Sequence, residues 1–243
     1  ILNIPSYAIQ GFLILMVVFT IGGVILDMMH KKNVKFFFQN AKKMKLAATN
    51  SVSTGEKVSI VVKTLAHDVA TSAEFCGVTR RITHLLGMYG TIIFWVASAV
   101  MIFNTSTTST IYPMLWHIGA IMTCVGGYWF WFIQRVDVRA EGNNWSRIVF
   151  ADLFVLSLVT TSTLGLLWSY FQSANSIGFA TLFFVMFIIS NVILFGGVYW
   201  SKFAHMFYKP GAAIQKHLAE ADGSRDDLPA PADLPKQFGL GIK

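Results

Sequence analysis

Five long apolar runs, separated by segments that either carry the chain's lysines and arginines or are wholly uncharged, constrain this chain more than any other feature. They cover 11–28, 83–103 and, less sharply bounded, 114–134, 148–171 and 179–204. A helix crosses a hydrocarbon core of about 30 Å with roughly 20 apolar residues. Inside that core the backbone must satisfy its own hydrogen bonds, which helices do without a partner strand. The runs therefore predict an all-α integral membrane protein, a bundle of five transmembrane helices. Composition agrees, because only 13% of the residues are charged, against about a quarter in a soluble domain.

Charge gives the bundle a direction. All 19 lysines and arginines fall within 31–81, 135–147 and 202–243, whereas 1–10, 104–112 and 171–178 carry none. Cytoplasmic loops hold the excess of Lys and Arg. With an odd number of spans, the N-terminus is expected outside and the C-terminus in the cytoplasm, in a multi-pass protein of the inner (cytoplasmic) membrane. The formal charge of +7 is then a signature of membrane topology rather than of nucleic-acid binding. Cys76 and Cys124 are too few to hold an iron–sulfur cluster and too isolated for a disulfide framework. The first run lacks a basic leader region and is long enough to span, so a cleaved signal is not expected.

Four segments follow: 1–30, the first transmembrane helix; 31–82, a basic cytoplasmic loop with amphipathic helices; 83–205, a core of four transmembrane helices; and 206–243, a cytoplasmic tail. The loop opens with six lysines between 31 and 45 interleaved with Phe36-Phe37-Phe38, a pattern suited to a helix lying among anionic head groups. Lys57 to Phe75 reads as a further helix, with Val58, Val61, Val62, Leu65 and Val69 on one face that needs a cover. The composition beyond Glu220 suits an extended tail that orders on a partner.

Six histidines carry the remaining information. His30, His67 and His217 lie in polar or basic loops and read as solvated. His84, His117 and His205 belong to spans or their ends, where ionisable groups are costly and often functional. The second span runs outward and the fifth inward, so His84 and His205 share the cytoplasmic level while His117 starts at the outer face. Two imidazoles at one level on neighbouring helices can supply both axial positions of a haem iron. Arg80 and Arg81 precede His84, and Lys202 precedes His205, at spacings that put cations on the histidine faces; haem propionates need such partners. Gly87, Gly90, Gly196 and Gly197 would leave room for a flat macrocycle. The competing reading, interfacial histidines beside snorkelling cations, weighs equally on spacing alone. Asp152, just inside the fourth span, reads either as the partner of an arginine or as a proton relay to a quinone.

SKFAHMFYKP (201–210) and RRITHLLGMYG (80–90) resemble the haem-ligand regions of the cytochrome b subunit of respiratory nitrate reductase, and DLFVLSLVTTSTLG (152–165) is similar to its fourth span. The likeness covers roughly 80–210. The long basic loop and the KPGAA stretch look more like that family's relatives in sulfur metabolism, the membrane anchors of adenylylsulfate reductase, sulfite reductase and heterodisulfide reductase systems. The resemblance implies a haem b held by His84 and His205, a membrane quinone as electron donor or acceptor, and cytoplasmic iron–sulfur or flavin subunits as partners. Where the family carries a second pair of histidines this chain has Phe94 and Phe187, so one haem is expected; a second would have to use His117, with a thioether such as Met101 opposite. His117 otherwise reads as a hydrogen-bonded helix-start histidine or as part of a quinone pocket. The rival function is a non-haem membrane anchor that docks a soluble enzyme. A transporter fits less well, because the later spans lack paired intramembrane charges.

Overall fold

The computed structural model describes residues 4–31, 33–73, 75, 77–104 and 109–224. Cys76 and, of the expected partner-binding tail 206–243, the residues beyond Ser224 lie outside the described residues. Those that are described form helices and turns, with no strand among them. They fall into two compact units, one drawn from 1–30 and 72–206, the other from 31–71 and 207–243.

The first unit holds α1 (Ser6–Lys31), α4 (Val78–Phe103), α5 (Ile111–Trp129), α7 (Leu153–Ser173) and α8 (Ile177–Gly196). The short α6 (Val136–Arg139) follows a π turn at Phe130–Gln134, and a 3₁₀ turn at Phe150–Asp152 leads into α7. Four segments are long and apolar enough to cross a membrane: Ser6–Lys31, Val78–Phe103, Phe150–Ser173 and Ile177–Gly196. The chain is thus a multi-pass membrane protein by the length and composition of its helices. The third predicted run, α5, is helical but not among the four; Pro113, His117 and three glycines dilute its apolar character.

The helices pack through small residues and hydroxyls, as expected where lipid removes any hydrophobic drive between them. On the α4–α5 seam, a Cβ on Gly90 would lie 2.6 Å from Thr123 N, and one on Gly119 2.6 Å from Phe94 N. Trp116 Nε1 donates to Ser98 Oγ across the same seam at 3.0 Å. Gly90 therefore serves backbone contact rather than the macrocycle room expected of it. Gly127 of α5 admits Val159 of α7, and Thr161 Oγ1 of α7 donates to Ser190 Oγ of α8 at 2.9 Å. Asn175, at φ 55, turns α7 into α8, and Phe171 stacks on Phe179 and Phe183 beside that turn. Helix α1 meets Val198 through Gly23, and Gln10 Nε2 donates to the Ile102 carbonyl near the end of α4.

The fifth run is not one continuous helix. Helix α8 ends at Gly196, a series of turns follows, and α9 (His205–Asp222) begins at the histidine. The turns are fixed from within: Phe203 and Val198 are buried with Leu158 and Leu194, which pulls the chain back into the bundle instead of letting it run on.

The second unit comprises α2 (Asn33–Ala47), α3 (Thr54–Lys63), a π turn at Thr64–Val69 and α9 from Phe207 onward. Ser53 caps α3 by accepting from Glu56 N at 3.2 Å. The helix expected to reach Phe75 ends with the π turn at Val69, and Val58, Val62 and Leu65 remain exposed. Helix α9 lies on the Phe37–Met44 face of α2, where Gln215 Nε2 donates to Met44 Sδ at 3.2 Å. The amides of Thr49 and Asn50 donate to the Asp222 carbonyl at 3.0 and 2.9 Å, closing the end of α9.

Candidate functional site

His84 sits in the second turn of α4, half-buried, and the chain before the helix folds back over it. Ser72 Oγ shares a hydrogen bond of 2.9 Å with His84 Nδ1. The Phe75 ring lies 4.9 Å from the imidazole, and the Arg80 guanidinium stands 5.7 Å over Phe75. Ser72 is only 1% exposed and has φ 51, the left-handed region that costs a non-glycine residue about 1–3 kcal/mol. The strain is tolerated where the hydroxyl is aimed at the histidine. Sequence reasoning missed Ser72, since nothing in Ala70-Thr71-Ser72-Ala73 marks it.

His205 opens α9. Its Nδ1–H donates to the Lys202 carbonyl, which leaves Nε2 as the lone-pair nitrogen. Its ring lies edge-on to Phe154, 6.4 Å away. Contacts along the bundle relate the two histidines. Gly126 abuts Thr83 and Gly87, which bracket His84, and Gly127 abuts Val159. Phe154 is five residues from Val159, about 7.5 Å toward the start of α7. His84 and His205 thus lie at the same end of the bundle, where α4 and α7 begin.

Between α4 and α8 the space is bridged by rings rather than by close backbone. Trp95 lies 5.3 Å from Phe195 and stacks on Phe203 at 6.0 Å, and Phe203, 1% exposed, meets Phe154 at 5.0 Å. The Trp95 indole nitrogen is buried without a hydrogen-bond partner among the described residues. A bis-imidazole iron requires each ring to be fixed through its other nitrogen, and both histidines meet that condition at Nδ1. The gap between α4 and α8 is filled by side chains, Trp95 and Phe203 among them. Gly87, three residues on from His84, is the neighbouring glycine whose added Cβ would meet nothing within 4 Å.

His117 is tied at both nitrogens. Nδ1–H donates to the Pro113 carbonyl at 2.6 Å, and Ser169 Oγ donates to Nε2 at 2.8 Å. As placed, it joins α5 to α7. Asp152 is held by Arg135, whose Nη1 donates to Oδ2 at 3.1 Å, and by the Val149 amide at 3.1 Å. Arg135 is 3% exposed, lies 4.1 Å over the Trp131 ring and also donates to the Arg147 carbonyl. The arginine that pairs with Asp152 is thus Arg135, not the nearer-in-sequence Arg147.

Outside the spans, Asp68 and His217 form a second polar cluster. His217 Nε2 donates to Asp68 Oδ2 at 2.6 Å, and His217 Nδ1 lies 3.0 Å from Glu220 Oε2. Asp68 Oδ1 is 2.9 Å from His67 Nδ1. Hydrogen bonds from His67 and then His217 hold the Asp68 carboxyl below its ordinary range. Asp68, then Glu220, raises the His217 imidazole above its own. The two carboxylates flank opposite sides of the ring, so they cannot converge on one ion. No group of three or more His, Cys, Asp or Glu able to hold a metal occurs among the described residues.

Fold and site together define a multi-pass, all-helical membrane protein with two anchored histidines at one end of its bundle. No protein-family model, curated protein or solved structure matches the chain.

Proposed function

We propose that the protein is the haem b membrane anchor of a respiratory complex, passing electrons between a membrane quinone or quinol and a cytoplasmic iron–sulfur or flavin subunit. In this reading α5 also crosses, giving five spans with the N-terminus outside and the C-terminus in the cytoplasm. The observation that carries it is the strained, buried Ser72 holding His84 through Nδ1, matched by the Lys202 carbonyl holding His205. That is the arrangement by which a second partner orients a ligating imidazole and raises its basicity. Haem would supply one-electron chemistry; the chain's own residues would fix the ligand rings, with Arg80, Arg81 and Lys202 as cationic partners for the propionates. The likeness of 80–90 and 201–210 to the nitrate reductase cytochrome b family supports the same reading.

The rival is a non-haem anchor. One observation favours it: Phe203 and Trp95 already fill the gap between α4 and α8. The reduced-minus-oxidised optical spectrum of the purified protein decides between them. Haem b predicts α, β and Soret difference bands, and a pyridine haemochrome assay should give one haem per chain. A preparation from haem-replete cells with no such bands sinks the haem reading and leaves the anchor.

A further inference from the structure

The second unit contains a cavity of about 400 Å³ that the haem reading does not use. It lies between α2, the connector at 48–53, the start of α3 and α9. Lys45 and Lys57 reach it from separate helices, Ser51 and Asp222 add polar groups, and Met44 and Leu218 line it with apolar surface. Two lysines and one aspartate line it, so its formal charge is positive and suits an anion with an apolar appendage. The volume is at the small end of the range for ligand sites, roughly 300–1,000 Å³, which fits a head group rather than a large cofactor.

The setting indicates where that anion comes from. Helix α1 ends at Lys31 and α2 begins at Asn33, so chain connectivity alone keeps the start of α2 beside the lipid head groups. From Met28 to Gly55 the sequence contains no Asp or Glu. The Phe37–Met44 face of α2 is covered by α9, whereas Phe36, Phe38 and Leu46 are exposed, as are Lys35, Lys42, Lys43 and Lys45. Exposed aromatics among lysines on a helix tethered at a span's end suit the boundary between acyl chains and anionic head groups.

We infer that this cavity binds the phosphate of an anionic phospholipid, held between Lys45 and Lys57 with its glycerol end against Met44 and Leu218. The inference does not depend on haem. Native mass spectrometry of the full chain in detergent, supplied with dioleoylphosphatidylglycerol, cardiolipin or dioleoylphosphatidylcholine, tests it. The expected result is retention of the anionic lipids over phosphatidylcholine, and a fall of roughly thirtyfold in apparent affinity in Lys45→Gln/Lys57→Gln. Lys63→Gln/Lys216→Gln removes the same charge from the second unit outside both the cavity and the α2 lysines, and should stay within a few-fold of the unsubstituted protein. Glycerol 3-phosphate is the soluble arm: lysine-dependent binding of it without lipid retention keeps the phosphate site and reassigns its source. Equal retention of phosphatidylcholine, or equal losses in the two double variants, overturns the site in favour of diffuse charge. Circular dichroism of both variants separates loss of binding from loss of fold.

Discussion

Alanine at Gly126 places a methyl group against the backbone of α4 at the turn that carries His84. The added Cβ would lie 2.6 Å from Gly87 N and 2.9 Å from Thr83 O. The first of these is 0.8 Å inside the 3.4 Å at which ordinary contact begins. Both neighbours are backbone atoms and cannot swing aside, so the helices must separate by most of that distance. Overpacking of this kind costs about 1–3 kcal/mol, while replacing a helical glycine by alanine returns up to about 1 kcal/mol of propensity. The net expectation for Gly126→Ala is a loss of up to about 2 kcal/mol. Gly87→Ala is the internal control. Its Cβ meets nothing within 4 Å, so propensity alone acts and the variant should match or exceed the parent. Thermal unfolding of both in one detergent, followed by circular dichroism, reads the difference. Finding Gly126→Ala as heat-resistant as Gly87→Ala would refute the claim that this seam is set by glycine contact.

In the haem reading, His84→Ala and His205→Ala each abolish the b-type difference bands and His67→Ala leaves them. Retained bands in either of the first two break the pairing. Ser72→Ala should keep the fold but weaken haem retention by about 10–100-fold, measured by transfer to apomyoglobin; unchanged retention removes Ser72 from the site. Arg135→Ala leaves the half-buried Asp152 with the Val149 amide but without its cation and should cost about 1–3 kcal/mol, read as a lowered unfolding temperature. A change within experimental error would mean that the Arg135 cluster is solvated. The Asp68–His217 contact should confine stability of the second unit to a pH window. The raised His217 value makes its contribution complete below the ordinary imidazole value, near 6.5, and lost as pH climbs through the folded value above it. The depressed Asp68 value makes its contribution present above the ordinary carboxyl value and lost as pH falls through the lower folded one. The facing groups are Asp68 and Glu220, with His67 behind the first and Lys216 behind the second. Hydrogen exchange of the α9 amides against pH should show both limbs, and His217→Ala should erase the alkaline one.

The spans were legible in the sequence because lipid imposes a requirement on length and polarity that composition alone can meet: α1, α4, α7 and α8 fall within or around the apolar runs. The basic segments were equally legible, and a histidine at a span's end stands out against apolar neighbours. Other features came from three-dimensional contact. Whether α8 runs on to His205 or stops at Gly196 depends on Phe203 finding a buried place among Trp95, Phe154 and Phe195, and no local periodicity encodes that. Asp152 chose Arg135 over Arg147 because the π turn at 130–134 carries the guanidinium onto Trp131 and into reach. Ser72 became a candidate positioning residue through a left-handed backbone that only packing against α4 can hold in place. His67 and His217 read as solvated, yet both join Asp68, a partner remote from His217 in the chain. The sequence by itself determined that the chain is helical and apolar enough to enter a membrane and where its charge lies, because those are sums over local residues. Which side chains meet at each end of the bundle was decided by the tertiary structure, because close packing selects partners by shape and reach, and neither is written in the order of the residues.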